Sequence, residues 1–498
     1  MLANLYAAFG LVFDPYVLAV ILGSSIFGLF MGAIPGLSAT MAVALLVPVT
    51  FFMPPVPAVA AMVSATAMAI FSGDIPGCLL RIPGTPSSAA YTDEAYAMTM
   101  KGKGEIALGA SLVFSVIGGL FGTLVLILAA PALAELALKF SSFEYFWLVL
   151  MGLTCAIFIA SENPLKGFVS LFIGMFIASI GMGNPSGVPR FTFDNTDLLG
   201  GVSLVPLMVG MFAMSEVLRF AVSRDQKMEI PGGAVGNVFK GMWDLMWKYP
   251  KSVLRGSVLG TLVGALPGAG ADIAAWMSYA MSKKCSKEPE KFGTGHPEGI
   301  VESGAANNSA LAGAWIPALV FGIPGDSITA IVIGVLYMKN LNPGPMIFVE
   351  NPVSMYAIFI VFILANLLML PLGYWCIKVS KRILKVPRNI LMPLILLFCI
   401  VGSYATNNSV SDVGIMLVFG LLAYLMEENG FPVAPAVLGV VLGGMLEEHF
   451  VTSMIKADGE VLAFFSRPIA GTLGVCTILL WVLPLVVSRL RRKQLAQV

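Results

Sequence analysis

The chain has 498 residues, of which 58% are hydrophobic and 11% charged, and its mean hydropathy is +0.89. A typical soluble domain carries about 25% charged residues, so this composition excludes a soluble globular enzyme and a disordered chain. The net charge of +1 leaves no footprint for a polyanion, which excludes a nucleic-acid binder.

A spanning helix takes about 20 apolar residues, and the chain offers a long series of such runs. They fall at 16–53, 57–72, 106–131, 143–160, 167–184 and 203–221, then, after a polar and basic stretch, at 253–282, 305–338, 352–377, 389–402, 411–426, 433–446 and 468–489. Their lengths predict an all-α polytopic membrane protein with about 11–12 transmembrane helices in a lipid bilayer. Gly and Pro together make up about one residue in six, which predicts that several of these helices are broken. No Lys or Arg precedes Arg81, so the basic start of a secretory signal is missing, and the first apolar segment is expected in the mature protein. The six cysteines form no Cys-x-x-Cys pair and read as packing residues. With His296 and His449 the only histidines, haem, His-ligated zinc and a Ser-His-Asp mechanism are not expected.

Two stretches repeat. Gly28-Leu29-Phe30-Met31-Gly32-Ala33-Ile34-Pro35-Gly36-Leu37-Ser38-Ala39 matches residues 260–271 at six of twelve positions, with an offset of 232. Ile75-Pro76-Gly77-Cys78-Leu79-Leu80-Arg81-Ile82-Pro83-Gly84 matches residues 316–325 at five of ten, with an offset of 241. Cytoplasmic loops are enriched in Lys and Arg. Seven basic residues lie between Arg219 and Arg255, five between Lys378 and Arg388 and four between Arg489 and Lys493, with smaller groups at Lys283–Lys291 and Lys101–Lys103. All are placed inside.

The run 253–282 then has basic residues at both ends and Pro267-Gly268 in its middle, as a hairpin entering from the cytoplasm would. The run 16–53 has none at either end, so its hairpin enters from outside and turns at Ile34-Pro35-Gly36. Five crossings between the two invert the second half relative to the first. The expected organisation is a first membrane repeat at 1–222, a cytoplasmic amphipathic linker at 223–252 carrying Trp243, Trp247 and Tyr249, a second, inverted repeat at 253–467, and an extra helix with a basic tail at 468–498. The N-terminus is expected in the periplasm and the C-terminus in the cytoplasm. A kinked full span at each Pro-Gly is the competing reading.

Pro35-Gly36 and Pro267-Gly268 free backbone groups that lipid cannot satisfy. The helices that restart at Leu37-Ser38 and Ala269-Gly270 aim their N-terminal amides into the breaks, and helix N-termini bind anions. Pro35, Gly36, Ser38, Pro267, Gly268 and Gly270 are therefore candidate anion-binding positions, although Gly28 and Gly32 also read as a helix-packing motif. The second pair of motifs supplies hydroxyls and carboxylates. Thr85, Ser87, Ser88 and Arg81 are candidates for carboxylate recognition, and so are the buried amides of Asn307 and Asn308, which also fit a helix cap. Asp74, Asp272, Asp326, Ser327 and Thr329 are candidates for a Na⁺ or proton-coupling site. Asp74 and Arg81 equally suit a mutual ion pair.

The pair Gly32-Ala33-Ile34-Pro35-Gly36 and Gly264-Ala265-Leu266-Pro267-Gly268-Ala269-Gly270, with Arg81-Ile82-Pro83-Gly84-Thr85-Pro86 between them, resembles the large membrane subunit of the tripartite tricarboxylate transporters. The resemblance covers essentially the whole chain. It implies secondary import of citrate-like tricarboxylates or related carboxylates across the cell inner membrane, driven by an ion gradient. It further implies a small four-helix membrane subunit and a periplasmic solute-binding protein as partners. No enzyme activity and no cofactor beyond the coupling Na⁺ or H⁺ are expected, since no Gly-x-x-x-x-Gly-Lys-[Ser/Thr] loop is present. One bundle moving against the other would expose the site alternately. The rivals are a stand-alone carboxylate or amino-acid symporter, a channel, and an intramembrane aspartyl protease built on Asp74 and Asp326. The last lacks the Gly-x-Gly-Asp spacing such a protease needs.

Overall fold

The computed structural model describes residues 2–160, 163–183, 187–222, 236–384 and 386–495. Residues 223–235 of the expected linker and 496–498 of the expected tail lie outside the described residues. The described residues hold helices and no strand, with one isolated bridge between Gly181 and Arg190.

The chain opens with α1 (Leu2–Val12), which hydropathy alone did not separate, and α2 (Pro15–Ala33). Then come α3 (Ala39–Phe51), α4 (Pro55–Ser72), α5 (Asp74–Leu80), α6 (Pro86–Ala89), α7 (Thr92–Met100), α8 (Gly104–Ala137), α9 (Ser142–Ala160), α10 (Pro164–Ala178), α11 (Leu204–Val209) and α12 (Ser215–Val222), the last two joined by a π-turn at 210–214. The second half holds α13 (Met242–Lys248), α14 (Pro250–Gly264), α15 (Gly270–Cys285), α16 (Pro297–Phe321), α17 (Ser327–Met338), α18 (Ile347–Glu350), α19 (Pro352–Ile383), α20 (Arg388–Asn407), α21 (Val410–Glu428), α22 (Val433–Lys456) and α23 (Pro468–Leu495). Proline opens many of them, because the first turn has no use for the missing N–H and the ring presets φ. Among the described residues, eight stretches are long and apolar enough to cross a membrane, and six apolar helices are shorter. The runs 16–53 and 253–282 are each cut by a Pro-Gly break into two helices, one or both of them too short to span, and the shorter apolar helices also include pieces of the expected runs 143–160, 167–184, 305–338 and 468–489.

Contacts divide the chain into two compact units, 1–135 with 205–425 and 136–204 with 426–498. The units cut across the halves read from the sequence, since each takes a piece from both. In the smaller unit, α10 and α22 approach at Gly174 and Gly439, where an added Cβ would meet the backbone of Ala436 and of Leu171 and Met175. Trp147 donates its indole N–H to the Phe464 carbonyl at 2.9 Å inside an aromatic cluster, and Arg467 pairs with Glu144 at 3.0 Å.

The larger unit is built on two close helix pairs, α2 against α4 and α14 against α16. Lipid tails are as apolar as the side chains, so helices in a bilayer associate through tight packing rather than by escaping water. Gly28 and Gly32 lie on the backbone of Ala65 and Ala69, while Gly260 and Gly264 lie on Ala306 and Ala310. These contacts map onto each other by the offsets of 232 and 241 that relate the sequences, so the repeated motifs make repeated contacts.

Candidate functional site

Each Pro-Gly break is made by the same backbone device. Ile34 ends α2 in an extended conformation, as the residue before proline favours. Gly36 and Gly268 then turn the chain at φ +86° and +82°, a region that side chains disfavour. After the first break Ser38 caps α3, its hydroxyl accepting from the Met41 N–H at 3.1 Å. After the second, Ala269 offers no side-chain cap, and α15 starts at Gly270 with φ +55°.

The second pair of motifs is equally matched. α5 ends on Arg81 and α16 on Gly322, both left-handed. Ile82 N–H returns to the Pro76 carbonyl and Ile323 N–H to Pro317, as a Schellman closure requires. Thr85 then caps α6 in a reciprocal box with Ser88, and Asp326 caps α17 in the same box with Thr329. An added Cβ would lie 2.7 Å from the Gly32 carbonyl at Gly84 and 2.7 Å from the Gly264 carbonyl at Gly325. Each capped turn therefore rests on the helix that precedes the break of its own copy.

The two copies meet through these helix starts. Thr40, in the first turn of α3, shares a hydrogen bond of 3.1 Å with Ser327, the first residue of α17. Asp272, in the first turn of α15, accepts from the Ser87 N–H at 3.1 Å. A Cβ on Gly270 would lie 2.6 Å from the Asp326 Cβ. Residues far apart in sequence, on α3, α6, α15 and α17, are thus brought to one junction. Asp272 is exposed there, and Ser38, Thr40, Asp326 and Ser327 are half-buried, whereas Thr85, Ser87, Ser88 and Thr329 are buried.

A cation joins the first break. The Arg388 guanidinium, at the start of α20, donates to the Pro35 carbonyl, and its Nη2 lies 3.0 Å from the position a Cβ on Gly36 would take. Its Nε is buried and has no hydrogen-bond partner. Sequence reasoning counted Arg388 as one of five loop cations. The one signal separating it from the others was its position directly before an apolar run.

The remaining candidates lie elsewhere. Asp74 is buried and accepts from the Tyr91 hydroxyl at 2.7 Å and from Ser111, and Asn307 donates to the Tyr91 hydroxyl at 3.2 Å. Asp74 and Arg81 do not pair with each other, because Arg81 reaches the exposed Asp93 at 2.9 Å. Asn307 and Asn308 sit within α16 rather than capping it. The Asn308 amide nitrogen is turned to the Ala67 carbonyl at 3.4 Å, and the side-chain oxygens of both asparagines are buried without a partner. Unused acceptors suit a cation or a donor better than a carboxylate.

Several buried carboxylates were not singled out from the sequence, Glu94 among them. Glu94 accepts from the backbone N–H groups of Gly293, Gly295 and His296 and from the Tyr279 hydroxyl. It pins the loop before α16 to α7. Among the described residues no group of three His, Cys, Asp or Glu side chains is arranged to hold a metal ion.

The family model described as the tripartite tricarboxylate transporter TctA family matches residues 18–438. The chain is 32% identical to an uncharacterized 52.8 kDa protein of Agrobacterium vitis from the TAR-I ttuC' 3' region, over 98% of each chain. It is 35% identical to an uncharacterized protein from the TAR-II ttuC' 3' region of the same organism, over 44% of this chain and 92% of that one. No solved structure matches.

Proposed function

The chain belongs to the tripartite tricarboxylate transporter TctA family, and from that premise we propose what it carries and how. The family makes it a multi-pass membrane subunit of a transporter. In our reading it imports citrate-like tricarboxylates or related carboxylates across the cell inner membrane, coupled to a cation gradient, with Na⁺ as the leading candidate. A periplasmic solute-binding protein delivers the substrate, and a small four-helix membrane subunit completes the assembly. The Pro-Gly breaks are the turns of two hairpins in inverted repeats, with the N-terminus outside and the C-terminus inside.

The observation that carries this reading is the junction of helix starts, with opposite charges on its two sides. The first break offers the capped N-terminus of α3, the Ser38 hydroxyl and the Arg388 guanidinium. Amides at a helix N-terminus and a guanidinium both favour a carboxylate, and a charge-assisted hydrogen bond is the stronger kind. The second break offers the carboxylates of Asp272 and Asp326 with neighbouring hydroxyls, which favour a hard cation. Placing the anion at the first break and the cation at the second puts opposite charges side by side. Each then lowers the cost of holding the other away from water. Arg81, committed to Asp93 on the surface, takes no part in substrate contact in this reading.

The test is uptake of labelled citrate into proteoliposomes holding this chain and the small subunit. It is run with and without an inward Na⁺ gradient and the purified binding protein. Uptake that needs both is the expected result. Uptake that proceeds without the binding protein assigns a stand-alone symporter instead.

A further inference from the structure

We infer that the cavity between the start of α14 and the loop before α16 binds the headgroup phosphate of an anionic phospholipid, whose acyl chain follows the outer face of α14. This inference stands apart from the transport site. The cavity has a volume of about 620 Å³, and its wall carries Trp247, Lys248, Lys251, Arg255 and Lys287.

The acidic side chains lining it are already engaged. Glu298 accepts from Ser252 at 2.8 Å and from Ser286 at 2.6 Å. Glu288 is taken up by Lys291 and His296, which hold its carboxyl below the usual range. Arg255 is paired with the buried Glu302. Lys248, Lys251 and Lys287 make no ion pair among the described residues. Lys248 lies over the Tyr249 ring at 5.1 Å. The serine hydroxyls on Glu298 carry no charge to offset it, so three unpaired cations face one carboxylate without a cationic partner, which leaves the cavity net positive.

Two further features separate a phospholipid from a soluble phosphate. On α13, Trp243 and Trp247 are 67% and 69% exposed, and tryptophan favours the headgroup level of a bilayer. On α14, Leu254, Val258 and Leu262 are exposed. At 100° per residue these three lie on the face that carries Lys251. From Lys251 to Leu262 the helix rises about 16 Å, close to half of a hydrocarbon core about 30 Å thick. A basic cradle with an apolar track one leaflet long below it has the shape of one phospholipid. Basic pockets between membrane helices recognise such headgroups.

Native mass spectrometry of the full chain in detergent, titrated with phosphatidylglycerol, phosphatidylcholine and inorganic phosphate, tests the inference. Phosphatidylglycerol should bind at least about tenfold tighter than phosphatidylcholine, and millimolar phosphate should not displace it, given about fivefold per cation at a membrane surface. The combined Lys248→Gln, Lys251→Gln and Lys287→Gln variant should lose that preference, and Lys287→Gln alone should lose part of it. The pair Lys283→Gln and Lys284→Gln, removing charge outside the cavity wall, should keep it. Leu262→Asn should weaken phosphatidylglycerol as well. Unchanged preference in the triple variant, equal loss in the Lys283/Lys284 pair, or displacement by inorganic phosphate would each overturn the inference.

Discussion

The two Pro-Gly breaks share their backbone and differ in their charge. Both turn on a glycine of positive φ, both follow a helix packed on alanines through paired glycines, and both open onto a helix start. The first break has a hydroxyl cap and an arginine on its loop, whereas the second has no cap and an aspartate in the next helical turn. A duplicated scaffold has thus acquired opposite electrostatics in its two copies. Backbone equivalence alone does not make the sites equivalent, and the proposed division of labour rests on the side chains added to each.

The strongest test of the shared backbone is to remove it. Gly36→Leu or Gly268→Leu forces a side chain into a left-handed conformation, at about 1–2 kcal/mol, and the first also drives it into Arg388. Uptake should fall to background in either variant while surface labelling shows the protein inserted. Transport surviving in one of them would mean that the two breaks are not alternative faces of one site.

Next in size is Asp272→Asn. Losing a charged hydrogen-bonding partner is worth about 1.5–3 kcal/mol, so uptake should drop about 10- to 100-fold and its dependence on the cation gradient should flatten. The sequence counterpart, Thr40→Val, should cost only about fivefold and keep the cation dependence, since a neutral hydrogen bond contributes about 1 kcal/mol. Equal effects at the two positions would erase the proposed asymmetry.

Arg388→Gln should act on the other side of the comparison. The half-saturating carboxylate concentration should rise about tenfold, with cation dependence unchanged and partial recovery in Arg388→Lys. A shift in the cation response instead would place Arg388 with the wrong ion. Ser38→Ala should act on the scale of Thr40→Val. Loss of an N-cap is worth about 1 kcal/mol, which predicts about a fivefold fall in uptake, read as an initial rate at low substrate.

Much of this architecture was legible in the sequence. Long apolar runs gave the helices, and Pro35-Gly36 and Pro267-Gly268 marked where two of them break. Leu37-Ser38 marked where the helix restarts, and the structure makes Ser38 its cap. Gly28 and Gly32 read as a helix-packing motif, and the internal repetition recurs in the contacts of Gly28 on Ala65 and Gly260 on Ala306. Long-range pairing was not legible. Asp272 with Ser87, Thr40 with Ser327 and Arg388 with Pro35 join residues 185 to 353 positions apart, and no local periodicity encodes such contacts. The sequence also left Arg81 free to meet either Asp74 or a substrate. Its left-handed position at the end of α5 turns it to Asp93 instead. Hydrogen-bond direction was hidden as well. Asn307 and Asn308 read as donors toward a carboxylate, yet their nitrogens are spent on Tyr91 and Ala67.

The most direct measurement of the central claim is substrate protection at the first break. Ser38→Cys, in a chain whose six native cysteines are replaced, reports on that position through its rate of reaction with a maleimide. Citrate at concentrations that support uptake should slow labelling at position 38 severalfold, and a cysteine placed at the exposed Ser466, remote from the break in sequence, should be unaffected. Labelling at position 38 that ignores citrate under conditions of active uptake would contradict the account, because the carboxylate would then be bound away from the start of α3.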